Sequence, residues 1–488
     1  MPRKAAIIEG DIETSYGELA SNLYKVANAA TEAGLSRGDR AAIVTGNDRR
    51  YFEIVCGIAR TGAATATLNP RQTVQELRQV FEDCGPRIIF ASRDTEDAVR
   101  EAAEGLEAPI LILGGSYEQW RDRASDRVPE ARVDEWDTFA IPYTSGTTGT
   151  PKGVALSHRS RSVLGVIFAT LYGCFRADDR FLVTTPLFHG GGFAFPIAVL
   201  NAGGTADLMP RYAPDMLAER LGEGTATGTF VVPTQLRSLA ALPPKLIDTA
   251  RNNKLRSIIC NAAPLSEAIK YEALEVFGDG LLHETYASTE AGIVTNLFPD
   301  EMRTTVNSVG RAVAGVSVEI LDEDGVPVAP GEVGEIYASG PTLFNGYFGK
   351  PDETMRGLRR AHFSAGDLAR MDEDGFIYVI GRKKDMIISG GVNVYPGEVE
   401  KVLQTHPAIV ETAVIGLPHE HWGETVCACI VTDGAVSEDE IFAYSQARLA
   451  PHKQPKIIRF IEQVPKNVTG KVLKKDLRER FSAEMAHG

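Results

Sequence analysis

Short apolar, β-branched runs alternate with helical spacing along the first 260 residues. Arg40-Ala-Ala-Ile-Val-Thr45 is followed by a helical pattern near 50 to 62 and then by Arg87-Ile-Ile-Phe-Ala91. The same rhythm runs from Arg180-Phe-Leu-Val-Thr-Thr185 through Gly228-Thr-Phe-Val-Val-Pro233 to Arg256-Ser-Ile-Ile-Cys-Asn261. Repeated strand–helix–strand units predict an α/β fold, with a large N-terminal domain of parallel-type sheets and flanking helices. Beyond about residue 306 the texture changes. Val318-Glu-Ile-Leu321 runs into the turn signal Asp322-Glu-Asp-Gly325, and Gly334-Glu-Ile-Tyr-Ala338 follows, predicting a β-rich subdomain. A charged patch, Gly381-Arg-Lys-Lys-Asp385, and a flexible one, Ser389-Gly-Gly391, then mark a boundary. Residues 1–383 are expected to form the N-terminal domain, and 384–488 a small α+β C-terminal domain on a hinge. Within the latter, helices are predicted over 396–405 and 437–449 and strands over 410–415 and 426–432.

The stretch from 181 to 206 carries no formal charge, which raises the question of a membrane span. Pro186, Pro196, Gly190-Gly191-Gly192 and Gly203-Gly204 interrupt it, so it reads as strand, loop and helix around a pocket. With 488 residues, 43% hydrophobic and 24% charged, the chain can build more than one core, which excludes a small stapled scaffold, a disordered chain and a coiled coil. The formal charge of −14 argues against bulk attraction to nucleic acid or anionic membranes, so any polyanion must bind in a local pocket. Residues 451–480 reverse this balance, with nine Lys or Arg against three Asp or Glu. That segment is either a solvated tail or a surface that meets phosphates. Six cysteines without Cys-x-x-Cys spacing fit reduced thiols in a cytoplasm, and Cys427 and Cys429 fall on one face of an apolar strand as core residues. Only six residues precede Ile7-Ile8, too short a lead for a signal peptide.

The most informative segment is Tyr143-Thr-Ser-Gly-Thr-Thr-Gly-Thr-Pro-Lys-Gly153. Two glycines let backbone N–H groups turn towards an anion, and five hydroxyls add donors, which makes a polyphosphate cradle. Lys152 follows Pro151 and precedes Gly153, so the Walker spacing fails and an ordinary P-loop NTPase or kinase is disfavoured. The string resembles the adenylate-forming superfamily of acyl-CoA synthetases, peptide-synthetase adenylation domains and beetle luciferase. Tyr286-Ala-Ser-Thr-Glu290, Phe363-Ser-Ala-Gly-Asp367, the hinge-like run from Gly381 to Pro396, and Pro465-Lys-Asn-Val-Thr-Gly-Lys471 resemble further motifs of that family, in the family's order.

The resemblance implies an enzyme that uses ATP, Mg2+ and coenzyme A. It places Thr144, Ser145, Gly146, Thr147, Thr148, Gly149 and Lys152 around the phosphates, with Thr144 also among the catalytic groups. Lys471 would reach both the substrate carboxylate and the α-phosphate. Glu290 would hold the magnesium, since a hard cation prefers carboxylate oxygen together with phosphates, and Thr289 beside it would donate to a phosphate. Tyr286 offers a flat face to adenine, flanked by Ala287 and Ser288. Asp367 offers two acceptors to the ribose, and Arg382 a donor. Ala262, Ala263 and Pro264 lie near adenine and the acyl group, with Asn261 where glycine is commoner, and Ala287 also replaces a glycine. His189 resembles an aromatic gate between acyl pocket and pantetheine channel. Lys384 aligns with the hinge residue, and Gly390 and Gly391 with backbone that passes close to pantetheine.

The function implied is an acyl-CoA synthetase that adenylates a carboxylic acid and transfers the acyl group to CoA, releasing AMP and pyrophosphate. Phe193, Phe195, Val231, Val232 and Leu236 are expected to line an apolar tunnel, which favours a medium- or long-chain fatty acid. An aryl or alicyclic acid–CoA ligase and a ligase that loads a carrier protein are the alternatives. Intact Lys471 and Glu290 disfavour a nucleotide-binding regulator that has lost catalysis.

Overall fold

The computed structural model describes residues 1–144, 151–434, 436–466 and 472–487. Among them, the strands form four sheets of nine, seven, six and five strands. In the largest, Leu282–Ser288, Ser257–Cys260, Gly228–Val231, Arg180–Val183, Thr205–Leu208 and Ala5–Glu9 run parallel, with antiparallel strands only at the edges. In the second, Thr138–Thr144, Ala64–Leu68, Arg40–Val44, Ile88–Ala91 and Ile110–Ile112 are parallel. Their short, wholly buried apolar strands are what parallel sheets covered by helices on both faces require. The helix Arg50–Ala59 falls where the pattern near 50 to 62 puts one.

The uncharged stretch supplies most of the strand Arg180–Val183, within the largest sheet, and forms the buried helix Gly190–Asn201. The prolines and glycines were expected to break a membrane-length helix and leave strand, loop and helix, and they do; Pro196 nevertheless lies inside the helix that remains. Dense packing supplies the reason: Phe195 stacks on Phe168 at 4.3 Å and on Phe230 at 4.6 Å, and this apolar contact outweighs one lost backbone bond. Gly192 is required, because a Cβ there would overlap the Pro186 carbonyl oxygen. No helix among the described residues is long and apolar enough to cross a membrane.

The third sheet, antiparallel and confined to 317–382, is the β-rich segment expected after 306. The fourth spans 387–460, and the large N-terminal and smaller C-terminal domains follow from this division. Its central hairpin, Ile409–His419 with Gly423–Thr432, is longer than the strands read from hydrophobicity, because polar ends continue the ladder past the apolar middle. Cys427 and Cys429 are buried in it against Val464, Leu477 and Phe481, and all six cysteines are free.

The basic stretch is largely paired within its own domain. Lys453 bonds Glu398 at 2.6 Å, Lys474 bonds Glu400 at 2.6 Å, Arg478 bonds Asp385 at 2.8 Å, and Lys466 pairs with Glu411. Of the two readings of that segment, neither a free tail nor an open phosphate surface describes these four side chains.

Candidate active site

A hairpin builds the centre of the site. Leu282–Ser288 pairs with Gly292–Leu297, with a register shift between Tyr286 and Ala287, and the turn between them holds Thr289 and Glu290. Ser288 Oγ accepts from the Ala291 N–H at 3.0 Å, closing the turn. Glu290 is buried, and its Oε1 accepts a hydrogen bond from the Tyr347 hydroxyl at 2.7 Å. The Lys152 ammonium lies 5.1 Å above the Tyr347 ring and pairs with Glu353. Tyr347 was not foreseen, because no motif marks it and 57 residues separate it from Glu290.

The structure brings Tyr286, Asp367 and Arg382 together. The Tyr286 hydroxyl donates to Asp367 Oδ2 at 2.8 Å, and Arg382 Nε lies 2.8 Å from Asp367 Oδ1. Asp367 and Arg382 are direct partners across two antiparallel strands, so the backbone fixes the pair. Burial, reinforced by the Asp367 charge, pushes the Tyr286 phenol well above its ordinary range, so it stays a donor.

Ala262 takes a left-handed φ of 76°, and its N–H donates to Asn261 Oδ1 at 2.5 Å. The strained position is therefore Ala262, and Asn261 is the side chain that supports it. Ala263 and Pro264 follow in the same loop between Ser257–Cys260 and the helix Glu267–Phe277.

His189 precedes the helix Gly190–Asn201 and lines a cavity of about 20 Å3 with Phe139, Phe193, Ile197, Thr67 and Arg161. Its Nε2 is buried without a partner, and burial pushes the imidazole down to about 4, so it is neutral at physiological pH. A Cβ on Gly190 would lie 3.2 Å from Thr289 Cγ2, so the cavity abuts the Thr289-Glu290 turn.

Among the described residues, the expected apolar tunnel is not assembled. Of its five residues only Phe193 lines the cavity; Phe195 belongs to the aromatic stack, and Val231 and Leu236 pack in a separate core with Leu217 and Leu239. Side chains of Val231 and Phe230 on one strand point to opposite faces, so Val231 is turned away from the aromatic side.

The backbone of Thr144 pairs with Lys152, so the two ends of the predicted phosphate loop are adjacent. Ser145, Gly146, Thr147, Thr148, Gly149 and Lys471 lie outside the described residues. Lys384 is in the short turn Lys383–Asp385, and burial lowers its ammonium below the ordinary range. Gly390 and Gly391, with φ of 60° and 78°, form the two-residue turn of the hairpin Ile387–Ser389 with Val392–Val394. A Cβ on Gly390 would also press on the Trp422 ring at 2.7 Å.

Charges join the two domains nearby. Lys270 is fully buried, with Nζ 2.8 Å from Glu267 Oε1 and 2.9 Å from Glu284 Oε2. Lys401, from the helix Pro396–Leu403 of the C-terminal domain, is attracted by Glu284 and Glu267. Arg237 donates to the Val410 carbonyl at 2.9 Å across the same junction.

The site thus combines a carboxylate–guanidinium–phenol cluster, a buried carboxylate in a tight turn and an apolar cavity beside it. The model of the AMP-binding enzyme family matches residues 1–348, and that of the AMP-binding enzyme C-terminal domain matches 398–471. The chain belongs to the AMP-binding enzyme family. It is an enzyme, an AMP-forming acid–thiol ligase. A feruloyl-CoA synthase of an Amycolatopsis species is 34% identical, covering 98% of this chain and 96% of the relative. The fatty acid–[acyl-carrier-protein] ligase ScoC of Streptomyces coeruleorubidus is 32% identical, covering 99% and 94%. ATP-bound MatB from Rhodopseudomonas palustris superposes with a TM-score of 0.92 at 32% identity, covering 99% of this chain and 96% of that one. Apo MatB from the same organism superposes with a TM-score of 0.80.

Proposed function

We propose that this family member activates a carboxylic acid with ATP and passes the acyl group to coenzyme A. A carboxylate is a poor electrophile, so its oxygen first attacks the α-phosphorus of ATP, and the bond to pyrophosphate breaks. The thiol sulfur then attacks the acyl carbon of the adenylate, and AMP leaves. The observation that carries this reading is the Tyr286–Asp367–Arg382 cluster, which presents a carboxylate of fixed geometry beside the turn bearing Thr289 and Glu290. Asp367 then accepts from the ribose hydroxyls, and Thr289 donates to a phosphate oxygen.

Glu290 suits a magnesium ion held mainly by substrate phosphates, since no group of three or more His, Cys, Asp or Glu among the described residues could hold a metal unaided. Bound there, the ion neutralises phosphate charge. Lys471, by its motif, supplies a positive charge to the carboxylate and α-phosphate, and the domain boundary at 383/384 with Lys384 as hinge lets the C-terminal domain move between the two half-reactions. His189, neutral, gates the acyl cavity.

A fatty acid was the acid favoured by the sequence. The narrow cavity, with a guanidinium in its wall, supports a shorter, more polar one. Loading of a carrier protein is the second reading, supported by the similarity to ScoC. Mass spectrometry of products from purified protein, ATP, magnesium, CoA and a pooled acid panel tests both. AMP with an acyl-CoA is expected; AMP or a retained acyl-adenylate without a thioester would replace CoA by a carrier protein.

A further inference from the structure

Arg161 lies in the first turn of the helix His158–Leu171, three and seven residues before Leu164 and Phe168, and so shares their buried face. Its side chain lines the cavity with His189, Phe193 and Ile197. Nη2 is sealed from solvent and has no hydrogen-bond partner, and Nε reaches only Ser160 Oγ at 3.4 Å. Burial alone pushes the guanidinium down, to about 10, with no acidic group opposing it. Residues 145–150, outside the described set, contain no carboxylate that could serve. A guanidinium in such a place is still charged at neutral pH; the side chain as a whole is half-buried, and its sealed, unpaired Nη2 is retained against a standing cost. Other half-buried arginines of the N-terminal domain are paired: Arg121 with Glu53 at 2.6 Å and Arg180 with Asp207 at 2.7 Å.

We propose that the acid activated by this enzyme carries a second carboxylate on a short body, and that Arg161 receives it. The reacting carboxylate then lies at the Gly190–Thr289 end of the cavity, while the second one completes an ion pair that the protein leaves open. The guanidinium fork suits a carboxylate, which it can bind through two parallel hydrogen bonds. A hydrocarbon chain of the same length would leave the guanidinium unpaired, so the pocket discriminates by charge as well as by shape. This inference rests on the acid–thiol ligase reading.

The test compares pyrophosphate release with length-matched pairs, butyrate against succinate, pentanoate against glutarate and hexanoate against adipate, in the wild type, Arg161→Leu and Arg161→Lys. The wild type is expected to favour at least one diacid by about 10²-fold in kcat/KM. Arg161→Leu should bring that ratio to about one by losing the diacid and gaining the monoacid, and Arg161→Lys should keep part of it. Thermal melting gives a second readout independent of turnover. The diacid should raise the midpoint of the wild type but not of Arg161→Leu, and Arg161→Leu without ligand should melt higher than the wild type. Equal use of monoacid and diacid, an unchanged ratio in Arg161→Leu, or a preference for a neutral hydroxy acid would overturn the proposal. So would a rise in KM for ATP alone, which would assign the guanidinium to the nucleotide. If AMP forms without an acyl-CoA, the acceptor reading fails while the diacid ratio still stands or falls on pyrophosphate release. If no acid yields AMP, the ligase reading fails and the midpoint shift decides; no shift with any diacid overturns the proposal.

Discussion

Replacing Lys270 by methionine removes one cation from a buried set of charges behind the Tyr286 strand. Lys270 is wholly buried and its ammonium contacts Glu267 at 2.8 Å and Glu284 at 2.9 Å. Glu267 keeps a second donor, the Asn307 N–H at 2.7 Å, so Glu284 suffers most. Burial already pushes the Glu284 carboxyl from 4.5 up to about 7 even with Lys270 beside it. A folded-state value raised above the unfolded one supports folding fully below pH 4.5 and loses that support as pH rises through about 7. Without Lys270 the value rises further, so the penalty must grow with pH. Truncating one partner of a buried pair costs about 3–5 kcal/mol, and protonation of Glu284 holds the loss near the lower end, about 3 kcal/mol at pH 8. At pH 5.5 Glu284 is already mostly neutral, and the loss should shrink towards the ~1 kcal/mol of a hydrogen bond. Urea unfolding at both pH values, with a spectroscopic probe of the N-terminal domain, measures this. The double variant Lys270→Met/Glu284→Leu should recover most of the loss at pH 8, because two apolar groups leave no charge stranded. A loss under about 0.5 kcal/mol, a loss independent of pH, or a double variant no better than the single one would refute the reasoning.

Tyr347→Phe removes the donor to Glu290 Oε1; a hydrogen bond to a charged group is worth about 1.5–3 kcal/mol, so kcat/KM for pyrophosphate release should fall roughly 10- to 100-fold, with altered magnesium dependence. Unchanged magnesium titration would separate Glu290 from the metal. Lys471→Ala should abolish adenylate formation while leaving thioester formation from supplied acyl-adenylate largely intact, and equal loss of both half-reactions would count against alternation of the C-terminal domain. His283, held neutral by burial that lowers it from 6.5 to about 4, contributes stability that is present above pH 6.5 and lost as pH falls towards 4, at most about 3 kcal/mol. His283→Gln should therefore flatten the fall in urea midpoint between pH 7 and pH 4.5, and an identical fall would exclude this histidine.

What the sequence determined by itself was whatever is encoded in contiguous residues. Alternating apolar runs implied parallel strands under helices because each period admits one local geometry. The strings around Tyr286, Asp367 and Arg382 implied a nucleotide site only through their resemblance to family motifs, which are contiguous, and the fold then brought Tyr286 within 2.8 Å of a residue 81 positions away. The basic stretch after 451 could not be read the same way. Four of its nine positive charges are paired with Glu398, Glu400, Glu411 and Asp385, partners set by packing and not by spacing. The same holds for the apolar tunnel, where Val231 and Leu236 are as hydrophobic as a lining requires but are turned into another core. Arg161 shows the division most sharply. It was not singled out in the sequence, although its spacing to Leu164 and Phe168 puts a charge on an apolar helix face, and only the tertiary structure decided whether an acid waited there. A helix fixes which way a side chain points; what it meets depends on elements far along the chain, and here it meets a cavity.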